Sequence, residues 1–267
     1  MACRWTTATS RSSGSGTTLR TVEDSLVALS PVPVLAAPEP GADLVTELVA
    51  GETLVVLEES AGWRRVVVPG HRTRLDGRGY PGWAPPEARL VPAGDWSPDL
   101  AVARSNGAEL PLGTLLRSVG EGAAELPGGE RVRLEAGTTV PPGEPGSLPA
   151  LALARSLLGL PYRWGGTDST TGMDCSGLVY RVMQLAGLEV PRDSGDQFDR
   201  APFKSEASWE EARPGDLVFF GDDSITHVGF YLGDDRYISE HGGAQTCRTV
   251  IRSITDDPYR GFVRYAS

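Results

Sequence analysis

Apolar residues fall in short clusters through the first half of the chain. Between about residues 21 and 93, LVTELVAGETLVVLEESAGWRRVVVPG sets runs of Leu and Val between AG, SAG and PG breaks. Such spacing predicts short strands joined by tight turns. The stretch closes on GYPGWAPPEARLV, whose prolines preclude a helix, so a small β barrel is expected. Residues 94–147 repeat the pattern in LAVAR, ELPLGTLLRSVG and AELPGGERVRLEAGTTV. They predict a second small β module, ending in the linker-like PPGEPGS.

From Ser147 the texture changes. SLPALALARSLLG has a capping Ser147, Pro149 near the start and Gly159 at the end, which predicts a helix. The Gly/Thr-rich PYRWGGTDSTTGM reads as a loop. DCSGLVYRVMQLAG then places apolar residues at 178, 179, 182, 183, 185 and 186 before Gly187, a second and buried helix starting near Cys175. LVFFG, HVGFYLG, RYISEH, residues 248–254 and GFVRYA follow as antiparallel strands, with GDD a hairpin turn between the second and third. Helices followed by strands predict an α+β domain. The expected division is a disordered tail (1–20), β modules at 21–93 and 94–147, and an α+β domain at 148–267.

Composition narrows the function classes. The chain has 267 residues, 40% of them hydrophobic, enough for a folded core. Its 33 Gly and 21 Pro favour turns and short strands over long helices. A net charge of −10 argues against nucleic acid as a partner. The absence of an apolar run of 18 residues argues against a membrane span. The first twenty residues are rich in Ser, Thr and Arg with no apolar core, unlike a secretory signal. A cytoplasmic protein is expected, or a secreted one if the start is misassigned.

Candidate chemistry centres on three cysteines and three histidines. Cys175 opens the predicted second helix, where the dipole and unpaired N–H groups favour thiolate. A small buried core residue would suit the same position. The Gly-rich loop before it and Ser176–Gly177 after it leave room for a substrate and tilt the balance toward a nucleophile. His227 opens a strand with Gly229 on the same face, and a helix-borne Cys facing a sheet-borne His suits nucleophilic catalysis. A third group must orient the imidazole. His241 and Ser239 share a face of the next strand, from which Glu240 points away. No CxxC or HxxxH spacing supports zinc, and no metal or cofactor is expected. Cys3 reads as an inert tail residue and Cys247 as structural.

PYRWGG, DCSGLVY, RDSGDQF and HVGFYLG, in that order, resemble the NlpC family of bacterial cell-wall cysteine peptidases across about residues 148–267. The N-terminal half, through TELVAGE and GYPGW, is similar to SH3-like modules attached to one subgroup, the γ-D-glutamyl-L-diamino acid endopeptidases. The resemblance implies a papain-like catalytic domain preceded by two SH3-like modules. It implies hydrolysis of the bond between D-Glu and the diamino acid of murein tripeptides or tetrapeptides; the chain itself is expected to be a monomer. Cys175 would be the nucleophile, His227 the base and Tyr162 an oxyanion donor, with Asp174 and Ser176 lining the cleft. Asp193 and Ser194 match a recognition pair whose acid binds the free amine of a terminal L-Ala. Glu47 and Tyr80 match an acid and an aromatic that close the cleft. The departure is twelve positions after His227, where the family usually carries His and this chain has Ser239. His241 is then the expected third residue and Ser239 the alternative. The competing reading is a non-catalytic peptidoglycan-binding protein with a degenerate peptidase domain.

Overall fold

A computed structural model describes residues 20–104, 110–146, 148–243 and 246–265. The expected tail at 1–20, apart from Arg20, and the capping role of Ser147 lie outside them, as does Cys3. Among the described residues three larger sheets follow one another along the chain, all with antiparallel neighbours.

The first sheet has seven strands in the order Leu44–Leu48, Val32–Leu35, Tyr80–Ala84, Trp63–Val68, Thr53–Ser60, Arg20–Ala28 and Leu90–Pro92. Alternation decides which side chains go inward. Leu54 and Val56 from one strand meet Val66 and Val68 from the next, and with Val32, Val34, Leu48 and Tyr80 they form a closed apolar centre. Ala61 and Gly62 both take positive φ at the SAG break, as a tight hairpin requires. The second sheet is smaller, with five strands between Leu100 and Val140 around Val102, Leu116, Ala124 and Leu126. Ala50, from the first module, completes that core.

Among the described residues three helices precede the last sheet: α1 (Ala150–Ser156), α2 (Cys175–Leu185) and α3 (Ser194–Asp199). The apolar positions expected on α2 are all buried, and Gly187 ends it with a φ of +77°. The six-stranded sheet runs in the order Phe203–Ser205, Tyr259–Arg264, Leu217–Phe220, His227–Gly233, Arg236–Gly243 and Thr246–Ser253. Asp234 and Asp235, both at positive φ, make the expected hairpin turn. Leu178, Val179, Val182 and Met183 of α2 pack with Leu217, Phe219, Val228, Phe230 and Ile238. Val218, Phe220, Tyr231, Tyr237 and Phe262 form a second cluster with Ile254, capped by Trp209 and Tyr259. Both faces of the sheet are therefore covered.

Gly229 leaves less room than its position on a histidine face suggests. A Cβ there would sit 2.5 Å from the Tyr237 ring and 3.0 Å from the Ser239 side chain. The space is filled by the next strand, and glycine is what allows that approach.

Candidate active site

The loop at 161–174 and the start of α2 are organised by one carboxylate. Asp174 is the N-cap of α2, and its Oδ1 accepts from the Gly177 N–H at 2.6 Å and from Ser176 Oγ at 3.1 Å. Its Oδ2 accepts from the Gly165 N–H at 2.9 Å, so the same side chain ties down the Gly-rich loop. Arg192 lies against both oxygens, with Nη1 at 3.0 Å from Oδ1 and Nη2 at 2.8 Å from Oδ2. Asp174 is thus a cap, as its residue type suggests, and also the centre of a buried ion pair.

Cys175 is the first residue of α2 and only 8% exposed. Its thiol meets backbone N–H groups of Val228 and Ser176. The helix start nevertheless does not yield a resting thiolate. Burial pushes the thiol up to about 12, the Asp174 carboxylate adds to the rise, and the backbone bonds and Arg192 only partly oppose them. The expectation of a stabilised thiolate therefore gives way to desolvation. His227 moves the other way: burial, then His241 and Arg252, hold its imidazole down to about 3. Both groups are neutral at rest, the thiol against the Val228 and Ser176 N–H groups and the imidazole among the rings of Phe220, Tyr237 and His241. Alkylation of Cys175 by iodoacetamide in the substrate-free protein should accordingly be about 10³-fold slower at pH 7 than that of an exposed cysteine. It should climb roughly tenfold per pH unit, and a plateau reached near pH 7 would contradict this reading.

The two candidates for the third residue occupy different places. The His241 ring packs against His227 with centroids 4.4 Å apart and planes at 56°. Ser239 is fully buried and donates its hydroxyl to the Val228 carbonyl at 2.5 Å. Among the described residues, nothing forms a hydrogen bond with the buried Nε2 of His227. His241 is itself held from behind. Arg252 Nη1 lies 3.2 Å from its Nδ1 and can only donate, so Nδ1 is the bare nitrogen and Nε2 carries the proton. That proton faces the Tyr237 oxygen at 3.0 Å, and Tyr237 donates onward to Asp257 at 2.5 Å. Glu240 points to the opposite face, as alternation predicts, but into protein rather than solvent. It is fully buried, accepts from Thr249 through Oε1, and burial lifts it to about 8.

Tyr162 stands beside the nucleophile. Burial and the nearby Cys175 and Asp174 hold its phenol above the ordinary range. Its ring is seated by Gly242, where a Cβ would fall 2.7 Å from the ring carbon Cε1. The remaining candidates pair across the junction with the first sheet. Tyr80 donates to Asp193 Oδ1 at 3.2 Å, although the two are 113 residues apart in sequence. Burial raises the Asp193 carboxyl, partly offset by Arg192. Ser194 follows as the first residue of α3, and Ser176 donates to Asp174. Glu47 is occupied rather than open: Arg163 Nη1 lies 2.7 Å from each of its carboxylate oxygens. A cavity of about 590 Å³ lies elsewhere, between α1 and the side chains of Ala103, Leu110 and Leu112, and contains none of these groups.

Sequence reasoning missed Arg192, Arg163 and Arg252, which hold Asp174, Glu47 and His241 respectively. An arginine in a polar run reads as solvated, and no local pattern marks one that the fold will pair with a carboxylate or an imidazole. Tyr237 lies on the same strand and face as His241, four residues earlier, whereas Asp257 reaches it only through the turn after the next strand.

Comparison with known proteins agrees with this architecture. The sequence pattern of the NlpC/P60 family matches residues 159–264, and that of the bacterial dipeptidyl-peptidase SH3 domain matches residues 34–88. A γ-D-glutamyl-L-lysine dipeptidyl-peptidase of Bacillus subtilis is 32% identical over 213 residues, covering 72% of this chain and 71% of that protein. One of the same name from Bacillus cereus is 29% identical over 226 residues, covering 73% and 66% respectively. The crystal structure of an NlpC/P60 family protein from Bacillus cereus superposes with a TM-score of 0.79 at 22% identity, over 91% of this chain and all of that one. That likeness shows a shared fold.

Proposed function

Because this chain belongs to the NlpC/P60 family and is a cysteine peptidase with an N-terminal SH3-like domain, we propose that it hydrolyses the γ-D-glutamyl–diamino acid bond of murein stem peptides bearing a free N-terminal L-Ala. The observation that carries this reading is the meeting of three segments. Cys175 at the start of α2 lies against Val228, the residue after His227, while Tyr80 of the SH3-like domain bonds Asp193 beside the same helix start.

The reaction follows acyl-transfer logic. His227, neutral at rest, takes the proton from the Cys175 thiol as sulfur attacks the γ-glutamyl carbonyl carbon. The oxyanion forms against the Cys175 backbone N–H and the Tyr162 hydroxyl. His227 returns the proton to the leaving amine of the diamino acid, giving a thioester on Cys175. Water, deprotonated by His227, then releases L-Ala-γ-D-Glu and restores the thiol. His241 packs against His227 and is the third residue in this scheme, while Ser239 buttresses the strand through the Val228 carbonyl.

Asp193 is the group proposed to receive the substrate's ammonium, and the Tyr80 hydroxyl holds it in place. Ser194 adds a hydroxyl beside it. Glu47 bounds the far end of the cleft as an ion pair with Arg163. A requirement for a free amine restricts the enzyme to fragments already released from the glycan, which fits recycling in the cytoplasm better than remodelling of intact wall.

N-acetylation of L-Ala-γ-D-Glu-meso-diaminopimelate should lower kcat/KM by about 10²-fold or more, since the buried acid would lose its charged partner. Product formation followed by mass spectrometry checks this, and equal turnover of the two peptides would remove the free-amine specificity.

A further inference from the structure

The SH3-like domain reaches the nucleophile's helix through a line of buried hydrogen bonds. Arg192 is fully buried, and every one of its N–H groups is used. Two go to the Asp174 carboxylate, one to Ser176 Oγ at 2.9 Å and one to the Gly166 carbonyl at 3.4 Å. The last, on Nε, goes to Thr46 Oγ1 of the SH3-like domain at 3.2 Å. A guanidinium N–H can only donate, so Thr46 accepts there and places its own proton on its other partner. That partner is His71 Nδ1, at 2.8 Å. Nδ1 is then the bare nitrogen, and the ring proton sits on Nε2, on the side of Glu52, whose Oε2 is 3.5 Å away and makes an electrostatic contact but no hydrogen bond. Glu52 in turn is held by Arg181 of α2 at 2.8 Å and by the Val49 N–H at 2.8 Å.

The direction of each proton in this line follows from its ends, two arginines that cannot accept and two carboxylates. His71 is 1% exposed and faces Glu52, Arg181, Arg192 and the ring of Tyr180. Burial holds its imidazole below the ordinary range, which suits a bare Nδ1 accepting from Thr46.

We propose that Thr46 and His71 are positioning residues for the peptidase reaction, holding Arg192 in register with the Asp174 cap and so placing Cys175. The inference rests on Cys175 being the nucleophile. Asp174 opposes ionisation of that thiol and Arg192 favours it. A guanidinium that drifts from the cap leaves the carboxylate less compensated, and the thiolate becomes harder to form.

Thr46→Val removes the hydroxyl at nearly constant volume, and His71→Gln keeps a donor toward Glu52 while removing the Nδ1 acceptor. In the full chain each should lower kcat about tenfold with KM within about twofold, the usual scale for groups that support a reacting residue. Each should also slow iodoacetamide alkylation of Cys175 at pH 9 by about three- to tenfold. Thr46→Ser should restore both. A merely structural role predicts the opposite alkylation result, because loosening the site exposes the thiol. The proposal is overturned by unchanged kcat and alkylation in either folded variant, by faster alkylation, or by failure of Thr46→Ser to restore them. If Thr46→Val does not melt cooperatively, His71→Gln is judged by the same criteria. Should the unaltered protein cleave no γ-glutamyl peptide, the substrate reading fails, while alkylation still decides the role of Thr46 and His71.

Discussion

Replacing Cys175 with alanine is expected to reduce release of L-Ala-γ-D-Glu from the tripeptide by roughly 10⁶-fold, the scale on which loss of a nucleophile acts in comparable acyl-transfer sites. The substitution removes one sulfur atom from a buried position that opens a helix, and alanine is a good helix former. The cap on Gly177 and the Arg192–Asp174 pair do not involve the thiol, so the fold and its melting temperature should be close to those of the unaltered chain. Mass spectrometry of the tripeptide incubated with both proteins checks this. Full hydrolysis by Cys175→Ala would eliminate the thioester mechanism. Absence of product from both proteins would favour a peptidoglycan-binding role for the degenerate-looking third position, where Ser239 stands.

The second large effect concerns stability. Arg192→Met keeps an unbranched apolar stem but removes the guanidinium, leaving the Asp174 carboxylate buried with its Gly165, Ser176 and Gly177 donors and without a cation. Breaking a buried pair from one side costs about 3–5 kcal/mol, because the remaining charge stays desolvated. At about 2–4 °C per kcal/mol for a chain of this size, the melting temperature should fall by roughly 6–20 °C. Activity should fall as well, since the same carboxylate caps the helix that carries Cys175. The check is a thermal melt of the two proteins at pH 7. A melting temperature unchanged at pH 7 would show that the pair contributes nothing.

How much of this was legible in the sequence depends on the range of the interactions. The apolar spacing from 178 to 186 gave the extent of α2, because helical periodicity is local. The Asp234–Asp235 turn was equally plain, since two positive φ angles in a row demand a short list of residues. α3 was missed: SGDQFD has no apolar period, and what holds it includes Gln197, buried and bonded through its side chain to the Ser176 and Pro191 carbonyls. Within the site, Cys175 and His227 were visible as residue types at an element start. The balance between helix dipole and burial at the thiol was not, since desolvation depends on what the SH3-like domain and the sheet place around it. The Tyr80–Asp193 bond and the clamp of Arg163 on Glu47 depend on domain docking, which no window of sequence contains.

The Arg181–Glu52 pair has a consequence for how such enzymes can be assembled by recombination. α2 carries a fully buried guanidinium whose carboxylate partner comes from the SH3-like domain. A catalytic domain of this kind is not freely interchangeable between neighbours: joined to a module with no acid at the matching site, it would bury Arg181 uncompensated. Exchange of the N-terminal half would therefore succeed only when the charge at both positions changes together. Lineages that keep Arg181 should inherit Glu52 with it, as a linked pair, while the surfaces around them drift.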